Sequence, residues 1–300
     1  MIDAEKANWP VRKLCRALGE STSGYYAWRK RPRSRRSEQD ERLRALVREA
    51  HELGRRTYGS PRVHAALGAQ GEHVSRKRVV RLMQELGLQG RGRRRFVRTT
   101  DSSHGQEVPP NLLDRDFSAH APNQRWVGDV TALRTPQGWL FLAVILDLYS
   151  RMVVGWALSA VNDRRLAGRA LDEAVRRRGP PPGLIHHTDQ GSPYTSEDYQ
   201  NALEALGFQC SMSRRGNCLD NAAMESWNSS LKSELGERFD SNADAKEKLF
   251  DYIEVFYNQQ RRHSSLGYVS PAECERVARG LPARGGQAAP SAATATPGGA

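Results

Sequence analysis

Long apolar runs, paired cysteines and an apolar leader are all missing from this sequence, and each absence argues against a class of protein. No stretch approaches the roughly 18 to 20 apolar residues that a helix needs to span a bilayer, and the first residues lack the apolar segment of a secretory signal. The four cysteines are far apart and form no C-x-x-C pair, which favours reduced thiols over disulfides or a zinc site. We therefore expect a cytoplasmic protein that does not contact a membrane.

Acidic residues are scarce in the first third of the chain. Residues 1–100 hold 25 Lys and Arg against 10 Asp and Glu, whereas the remaining 200 residues hold 21 against 24. A basic segment beside a nearly neutral remainder indicates a polyanionic partner, of which nucleic acid is the favoured kind. The length of 300 residues is enough for two or three domains.

The basic first third has the residue spacing of short helices. Residues 1–36 contain two such patterns separated by Gly19, which predicts a small helix-turn-helix-like segment. Residues 37–95 predict a basic helical DNA-binding domain whose last helix begins after the N-cap residue Ser75. The candidate DNA contacts on this helix and directly behind it are Arg76, Lys77, Arg78, Arg81, Arg93, Arg94 and Arg95. An ordinary solvated helix face is the alternative for the helical ones.

The remaining two thirds predict an α/β domain. Residues 96–122 have little periodicity and are interpreted as a linker, and residues 281–300 as a disordered tail rich in Ala, Gly, Pro and Ser. Residues 123–280 predict three strands joined by short links, then helix, strand, helix, strand and two long helices. Short links favour antiparallel pairing of the first three strands, so we expect a sheet of mixed direction flanked by helices. The tryptophans expected in its core are Trp126, Trp139 and Trp156.

Three acidic residues lie where solvation alone does not explain them. Asp129 interrupts the apolar strand pattern WVGDVT, Asp189 follows the strand pattern GLIHHT, and Glu225 lies on a predicted helix. If the two strands are neighbours, the carboxylates converge at one edge of the sheet. Converging carboxylates suit Mg²⁺, and two such ions about 4 Å apart support phosphodiester chemistry. Taken singly, each residue could equally be a strand-edge charge or part of a helix surface.

The helix that carries Glu225 presents a polar face. Asn221, Asn228 and Lys232 follow the helical repeat together with Glu225, so all four share one side. A carboxylate, two amides and a lysine on one side of a helix indicate a functional surface rather than one packed in the core.

The acidic spacing and several longer motifs resemble a known family. Asp189 and Glu225 are separated by 35 residues, and Lys232 stands seven positions after Glu225, as in the integrase catalytic core of DDE transposases and retroviral-type integrases. Seven ordered segments resemble the second-frame (OrfB) transposase of bacterial insertion sequences. They are TYGSPRVHAAL, RVVRLMQELGLQ, PNQRWVGDVT, LDLYSRMVVGWAL, HTDQGSPYTS, RRGNCLDNAAMESWNSSLKSE and FYNQQRRHSSLGYVSPAEC, and the resemblance covers about residues 10–278.

The resemblance implies a fold and a reaction. The core would be a ribonuclease H-like, five-stranded mixed sheet in which Asp129, Asp189 and Glu225 are the catalytic residues and the ligands of two Mg²⁺ or Mn²⁺ ions. The reaction would be cleavage at the element ends, followed by attack of a 3′-OH on another phosphodiester. DNA is thereby integrated and recombined without a covalent enzyme intermediate, typically through a circular form of the element.

The resemblance also implies partners and a location. Double-stranded DNA would be bound both at the terminal inverted repeats of the element and at the target. The protein would act as a homo-oligomer on DNA, together with or fused by frameshifting to the upstream-frame (OrfA) helix-turn-helix product. We expect it in the bacterial cytoplasm, associated with the nucleoid.

Other polar residues receive roles from the same resemblance. Lys232 would contact the DNA end, Asn221 would orient Glu225 or touch DNA, and Asn228 is placed with them as a DNA contact. Asp147 is interpreted as structural, whereas His187 lies either near the metals or in strand packing. The cluster after the last long helix either binds DNA or caps the domain, and its members are Asn258, Arg261, Arg262 and His263.

Two other functions share part of this pattern. A metal-dependent nuclease without strand transfer would need the same three carboxylates. A DNA-binding regulator with an inert core would need only the basic first third, which leaves the acidic triad at the family spacing without an explanation.

Overall fold

The computed structural model describes residues 1–92, 108–215, 217–236 and 238–282. Within them, residues 108–124 form neither helix nor strand, and the linker expected at residues 96–122 lies partly outside the described residues. The predicted tail falls almost wholly outside the described residues, as do Arg93, Arg94 and Arg95. In the described part of the chain, no helix is both long and apolar enough to cross a membrane.

Among the described residues, six helices precede the sheet. They are α1 (Ile2–Glu5), α2 (Val11–Ala17), α3 (Thr22–Lys30), α4 (Arg35–Leu53), α5 (Ser60–Ala69) and α6 (Arg76–Glu85). Ser21, Ser34 and Ser75 cap α3, α4 and α6 by accepting hydrogen bonds from backbone N–H groups in the first turns. Ser60 is not the cap of α5, because Gly59 takes that position and Ser60 already belongs to the helix.

The remaining elements build the sheet and its cover. The strands are β1 (Arg125–Thr135), β2 (Gly138–Asp147), β3 (Val153–Ser159), β4 (Ile185–Thr188) and β5 (Gln209–Met212). The helices are α7 (Arg164–Arg178), α8 (Ser192–Thr195), α9 (Glu197–Ala205), α10 (Ala222–Leu235), α11 (Asn242–Phe250) and α12 (Pro271–Ala278). A π-helix, Asp251–Tyr257, continues α11, and short 3-10 turns cover Cys218–Asn221 and Ser264–Leu266.

The sheet has the order β3-β2-β1-β4-β5. The first three strands are antiparallel neighbours, whereas β1 pairs in parallel with β4 and β4 with β5. The mixed five-stranded, ribonuclease H-like sheet expected from the sequence is therefore confirmed. It brings β1 and β4 side by side although 49 residues separate their ends, Thr135 and Ile185.

Alternation along β1 divides the core between the two faces of the sheet. Trp126 is fully buried and packs with α7 and α9, whereas its neighbour Val127 packs with α10 and the segment after it. Gly155 on β3 allows α7 to approach closely, since an added Cβ would lie 2.3 Å from the carbonyl oxygen of Ala170. Trp139 was expected in the core, which is wrong: it lies beside the β1–β2 turn and is 57% exposed.

Candidate active site

Asp129 and Asp189 lie at the centre of the sheet. The parallel register pairs Val127 of β1 with His187 of β4, so two residues further along each strand Asp129 comes beside Asp189. Both side chains are half-buried, and the alternation of β1 directs Asp129 to the same face as Val127, beneath α10. Two strands that are distant in sequence thus bring the two carboxylates together.

The two carboxylates destabilise each other's charged form. Burial, followed by the negative charge of Asp189, raises the pKa of Asp129 well above its usual range. Burial also raises the pKa of Asp189. The groups that act in the opposite direction are an amide and backbone N–H groups rather than cations. Among the described residues, the pair is therefore a concentration of acidic oxygens without a neutralising cation.

Two hydrogen bonds fix the orientation of the acid pair. Asn228 on α10 donates from Nδ2 to Oδ2 of Asp129 across 2.6 Å. The backbone N–H of Gly191 donates to Oδ1 of Asp189 across 3.0 Å. An added Cβ on Gly191 would lie 2.9 Å from that same oxygen, so a larger residue would press on the carboxylate. The glycine after the strand therefore leaves room for Asp189 and holds it.

Glu225 lies on the same side of the molecule but stands off from the pair. Its side chain is exposed in the first turn of α10, and its charge contributes a smaller rise to the pKa of Asp129. Among the described residues, no three side chains of His, Cys, Asp or Glu lie close enough together to hold a metal ion. In this conformation the site is thus an acid pair with a third carboxylate at its rim.

The other polar residues on α10 have different surroundings. Asn221 is buried and donates from Nδ2 to the carbonyl oxygen of Gly128 across 3.3 Å, while its Oδ1 has no hydrogen-bond partner. Its contact is thus with the strand that carries Asp129, which speaks against a direct DNA contact. Asn228, expected as a DNA contact, instead holds Asp129, whereas Lys232 is half-buried on the same helix.

The neighbouring histidine and aspartate are structural. Both ring nitrogens of His187 hydrogen-bond with serine hydroxyls, those of Ser211 and Ser213, so the residue is packed within the sheet. Asp147 is fully buried at the end of β2 and accepts hydrogen bonds from the backbone N–H groups of Asn123 and Tyr149. The structural interpretation of Asp147 is supported by these contacts, and the packing alternative is favoured for His187.

The basic residues of α6 divide into two pairs. Arg76 and Lys77 are exposed in its first turn. Arg78 and Arg81 instead bind the buried carboxylate of Asp40 on α4, at 2.7 and 2.6 Å. Both guanidinium groups therefore join α6 to α4, and a DNA contact by Arg78 and Arg81 stays a prediction.

The cluster after the π-helix is largely internal. Arg261 and His263 are buried, and Arg261 forms two hydrogen bonds of 2.6 Å with the carboxylate of Glu234. Arg262 is partly buried and donates from Nη1 to the carbonyl oxygen of Tyr268. Of the two alternatives for this cluster, the contacts favour a structural cap over DNA binding. Nothing in the local spacing indicated its partner Glu234, which lies 27 residues earlier in the chain.

Comparisons with known proteins find the same two parts, a helical domain followed by a sheet-containing core. An HTH-like domain matches residues 38–96, and two integrase core domain models match residues 119–218 and 206–271. The insertion element IS600 uncharacterized 31 kDa protein of Shigella sonnei is 45% identical over 261 residues, which cover 86% of this chain and 96% of that protein. Transposase InsF for insertion sequence IS3A of Escherichia coli (strain K12) is 41% identical over 278 residues, covering 91% and 96% respectively.

Solved structures show a more distant likeness. The chain of a simian T-cell lymphotropic virus intasome, solved with PP2A regulatory subunit B56 gamma, is 18% identical with a TM-score of 0.47, covering 77% of this chain and 76% of that one. The HTLV-2 integrase catalytic core domain, solved with magnesium in a trimeric form, is also 18% identical, with a TM-score of 0.42 over 53% of this chain and 99% of that one.

A helix-turn-helix-like domain joined to an integrase core defines the class of DNA transposases and integrases. Within that class, this chain belongs to the IS3 family of insertion-sequence transposases, since relatives at 41% and 45% identity span most of its length. It is an enzyme of DNA transposition, and the resemblance stated from its motifs is confirmed.

Proposed function

We propose that Asp129, Asp189 and Glu225 are the catalytic residues with which this transposase cleaves the ends of its element and joins them to new DNA. The observation that carries the proposal is the acid pair Asp129–Asp189: burial raises the pKa of both carboxyl groups, and the charge of Asp189 raises the pKa of Asp129 further. A purely structural pair of buried carboxylates would be matched by cations, because leaving such charges unpaired is costly.

The donor set of this pair fits a divalent cation. Carboxylate oxygens are the ligands that Mg²⁺ and Mn²⁺ prefer, and a cation between the two groups would remove the repulsion that raises their pKa values. When bound, two such ions would activate the attacking oxygen and stabilise the leaving one in a phosphodiester exchange. Asp129 and Asp189 would hold them, with Glu225 completing the ligand set from α10.

Other residues around the acid pair orient its carboxylates or face the DNA. Asn228 fixes one carboxylate oxygen of Asp129, leaving the other available to a ligand. The backbone N–H of Gly191 does the same for Asp189. The exposed position of Glu225 suits a group that meets the scissile DNA from the solvent side, and Lys232, two turns further along α10, would contact the phosphates of the DNA end.

The substrates and partners follow from this assignment. We propose that the terminal inverted repeats and the target are bound as double-stranded DNA, with Arg76 and Lys77 contacting phosphates in the helix-turn-helix-like domain. Arg93, Arg94 and Arg95 remain candidates outside the described residues. A homo-oligomer would bring two element ends together in the bacterial cytoplasm, aided by the upstream-frame product, alone or fused by frameshifting.

A joining assay tests the proposal. Purified protein is incubated with Mg²⁺ and a labelled duplex that carries the terminal repeats of the element, and the products are separated by size. We expect joined products that disappear with Asp189→Asn and persist with Asp198→Asn, a matched change at an exposed aspartate of α9 that pairs with Arg164. Nicking without joining by the wild type would favour the nuclease. Binding without cleavage, even with the upstream-frame product added, would favour the regulator.

A further inference from the structure

The helix-turn-helix-like domain and the integrase core share one hydrophobic cluster. Leu67, Leu82 and Met83 from the helical domain belong to the same buried set as Val127 of β1 and Trp227 of α10. Arg55 of the helical domain pairs with Asp251 on the π-helix, and two further polar contacts between the domains lie at the C-terminal end of α10, the helix that carries Glu225. The position of the DNA-binding domain is therefore tied to a helix of the active site.

Glu234 is the centre of these contacts. Only 5% of its side chain is exposed, one position before the end of α10. It binds Arg261 through both oxygens at 2.6 Å and accepts a hydrogen bond of 2.9 Å from the hydroxyl of Tyr252. Arg261 also donates to Ser230, one turn earlier on α10. We call the set of Glu234, Arg261, Tyr252 and Arg62 the Glu234 cluster.

The helical domain supplies its own cation to this cluster. Nη1 of Arg62 on α5 lies 3.8 Å from Oε1 of Glu234, and the guanidinium stacks over the ring of Tyr58 at 5.5 Å. The hydroxyl of Tyr58 accepts a hydrogen bond of 2.8 Å from the backbone N–H of Arg262. Arg91, behind α6, donates to the carbonyl oxygen of Ser233 across 2.7 Å. The helical domain thus contacts α10 and the segment that packs on it.

The two ends of α10 perform different tasks on one rigid body. Its first half carries Glu225 and Asn228, and Asn228 holds the carboxylate of Asp129. Its last turn carries Glu234, nine residues beyond Glu225, or roughly 13 Å along the helix axis. A hydrogen-bonded helix transmits a displacement of its last turn to its first, because packed elements move as units.

We infer that Arg62 is a positioning residue, through which the DNA-binding domain holds α10, and hence Glu225 and Asn228, in register with the acid pair. The inference rests on the proposed function, because it assigns a task to the helix that carries Glu225. DNA bound by the helical domain rigidifies α5, and α5 in turn restrains α10 through Arg62 and Glu234. Repeat recognition and the chemical step are thereby coupled within one chain.

Hydrogen exchange measures this coupling without requiring turnover. Wild-type protein is followed with and without a terminal-repeat duplex, at saturating concentration, over the amides of residues 230–235. We expect the duplex to slow their exchange at least about fivefold in the wild type. Arg62→Met should abolish this protection while leaving duplex affinity within about twofold, and Arg62→Lys should restore it, since the 3.8 Å contact is one of charge rather than of geometry.

Two further variants keep the test decisive. Tyr58→Phe removes the acceptor for Arg262 but retains the buried ring, so it should weaken the same protection if Arg62→Met proves unstable. Arg176→Met removes an exposed ion pair with Glu173 on α7, far from α10 in the fold, and should leave the protection unchanged. Equal protection in Arg62→Met and the wild type overturns the inference.

Turnover separates this inference from the proposed function. In an active preparation, Arg62→Met should lower the cleavage rate at saturating duplex about tenfold with half-saturation unchanged, as expected when a reacting group is misplaced. A parallel loss of affinity and rate would indicate a defect in binding alone and would contradict the inference. A wild type that binds the duplex and never cleaves it refutes the proposed function, while the exchange data still decide the coupling.

Discussion

The two halves of α10 lie against buried carboxylates in opposite electrostatic states. Beneath its first half, Asp129 and Asp189 repel each other, and only amide and backbone N–H groups oppose the rise in their pKa values. At its last turn, the Glu234 side chain is only 5% exposed and is matched by the guanidinium of Arg261. The fold explains a carboxylate that is matched by a cation, whereas an unmatched pair fits the divalent cation of the proposed function. The contrast supports the proposal that Asp129 and Asp189 are catalytic.

The largest expected effect falls on the unmatched pair. Asp189→Asn should reduce joining of repeat ends at least about 1,000-fold, since the carboxylates act as a unit. The same change should leave the thermal midpoint in metal-free buffer unchanged or higher, because it removes a buried like charge. Joining assays and calorimetry measure the two effects, with Asp198→Asn as the control. A lower midpoint together with retained activity would mean that Asp189 is structural.

The matched carboxylate should behave in the opposite way. Arg261→Met leaves the charge of Glu234 buried with a weaker partner, so the free energy of unfolding should fall by about 3–5 kcal/mol. Replacing both residues by methionine should recover part of this loss, because the uncompensated charge is removed as well. Denaturant unfolding of the two single variants and the double variant gives the coupling. A loss below about 1 kcal/mol in Arg261→Met would contradict the assignment.

Asn228 connects the helix to the acid pair and can sharpen the comparison. Asn228→Ala removes the hydrogen bond of 2.6 Å to Asp129, so cleavage should fall about 10- to 100-fold, the usual range for residues that orient metal ligands. Higher Mg²⁺ should recover part of the rate, because a misoriented ligand weakens metal binding. Ser233→Ala, near the other end of α10, serves as the control and should retain full activity. A rate loss that no Mg²⁺ concentration relieves would contradict this role.

Magnesium and pH together test the unmatched pair without DNA. The pKa values of Asp129 and Asp189 are raised in the folded state, so ionisation of the pair costs stability as pH rises above the unfolded value near 4. Mg²⁺ should offset this cost and raise the free energy of unfolding by about 1.4 kcal/mol at ten times its dissociation constant. The gain should be larger at pH 8 than at pH 5, because protons compete with Mg²⁺ for the carboxylates at the lower pH. Thermal midpoints with and without Mg²⁺ measure this. An equal shift in Asp129→Asn would show that Mg²⁺ binds elsewhere.

Local sequence pattern predicted the elements but not the long-range contacts between them. The strand patterns of β1 and β2 and the N-cap Ser75 follow from rules that act over a few residues, and the structure agrees with them. The acid pair was reachable because β1 and β4 could be guessed as neighbours. The pairs Arg78–Asp40 and Arg261–Glu234 were not predicted, because residue spacing does not encode the relative position of the distant segments that each pair joins.

The same limit applies to apolar residues at element ends. Trp139 lies in a strand pattern, yet its position beside the turn leaves it largely in solvent. The π-helix Asp251–Tyr257 reads as an ordinary helical repeat, because Tyr252, Ile253 and Phe256 satisfy the helical spacing in either form. Hydrophobic spacing predicts whether a segment is a helix or a strand. How far its side chains are buried depends on which other elements pack against it.

The smallest expected effects distinguish the two pairs of basic residues on α6. Lys77→Ala should weaken duplex binding modestly and reduce the slope of log affinity against log salt by about one, as for loss of a single phosphate contact. Arg81→Ala should leave that slope unchanged and instead lower the thermal midpoint, because Asp40 loses one of its two arginine partners. Salt titrations of duplex binding and thermal unfolding separate the two outcomes. A reduced salt slope in Arg81→Ala would return that residue to the DNA interface and break the parallel with Arg261, whose charge is likewise taken up inside the fold.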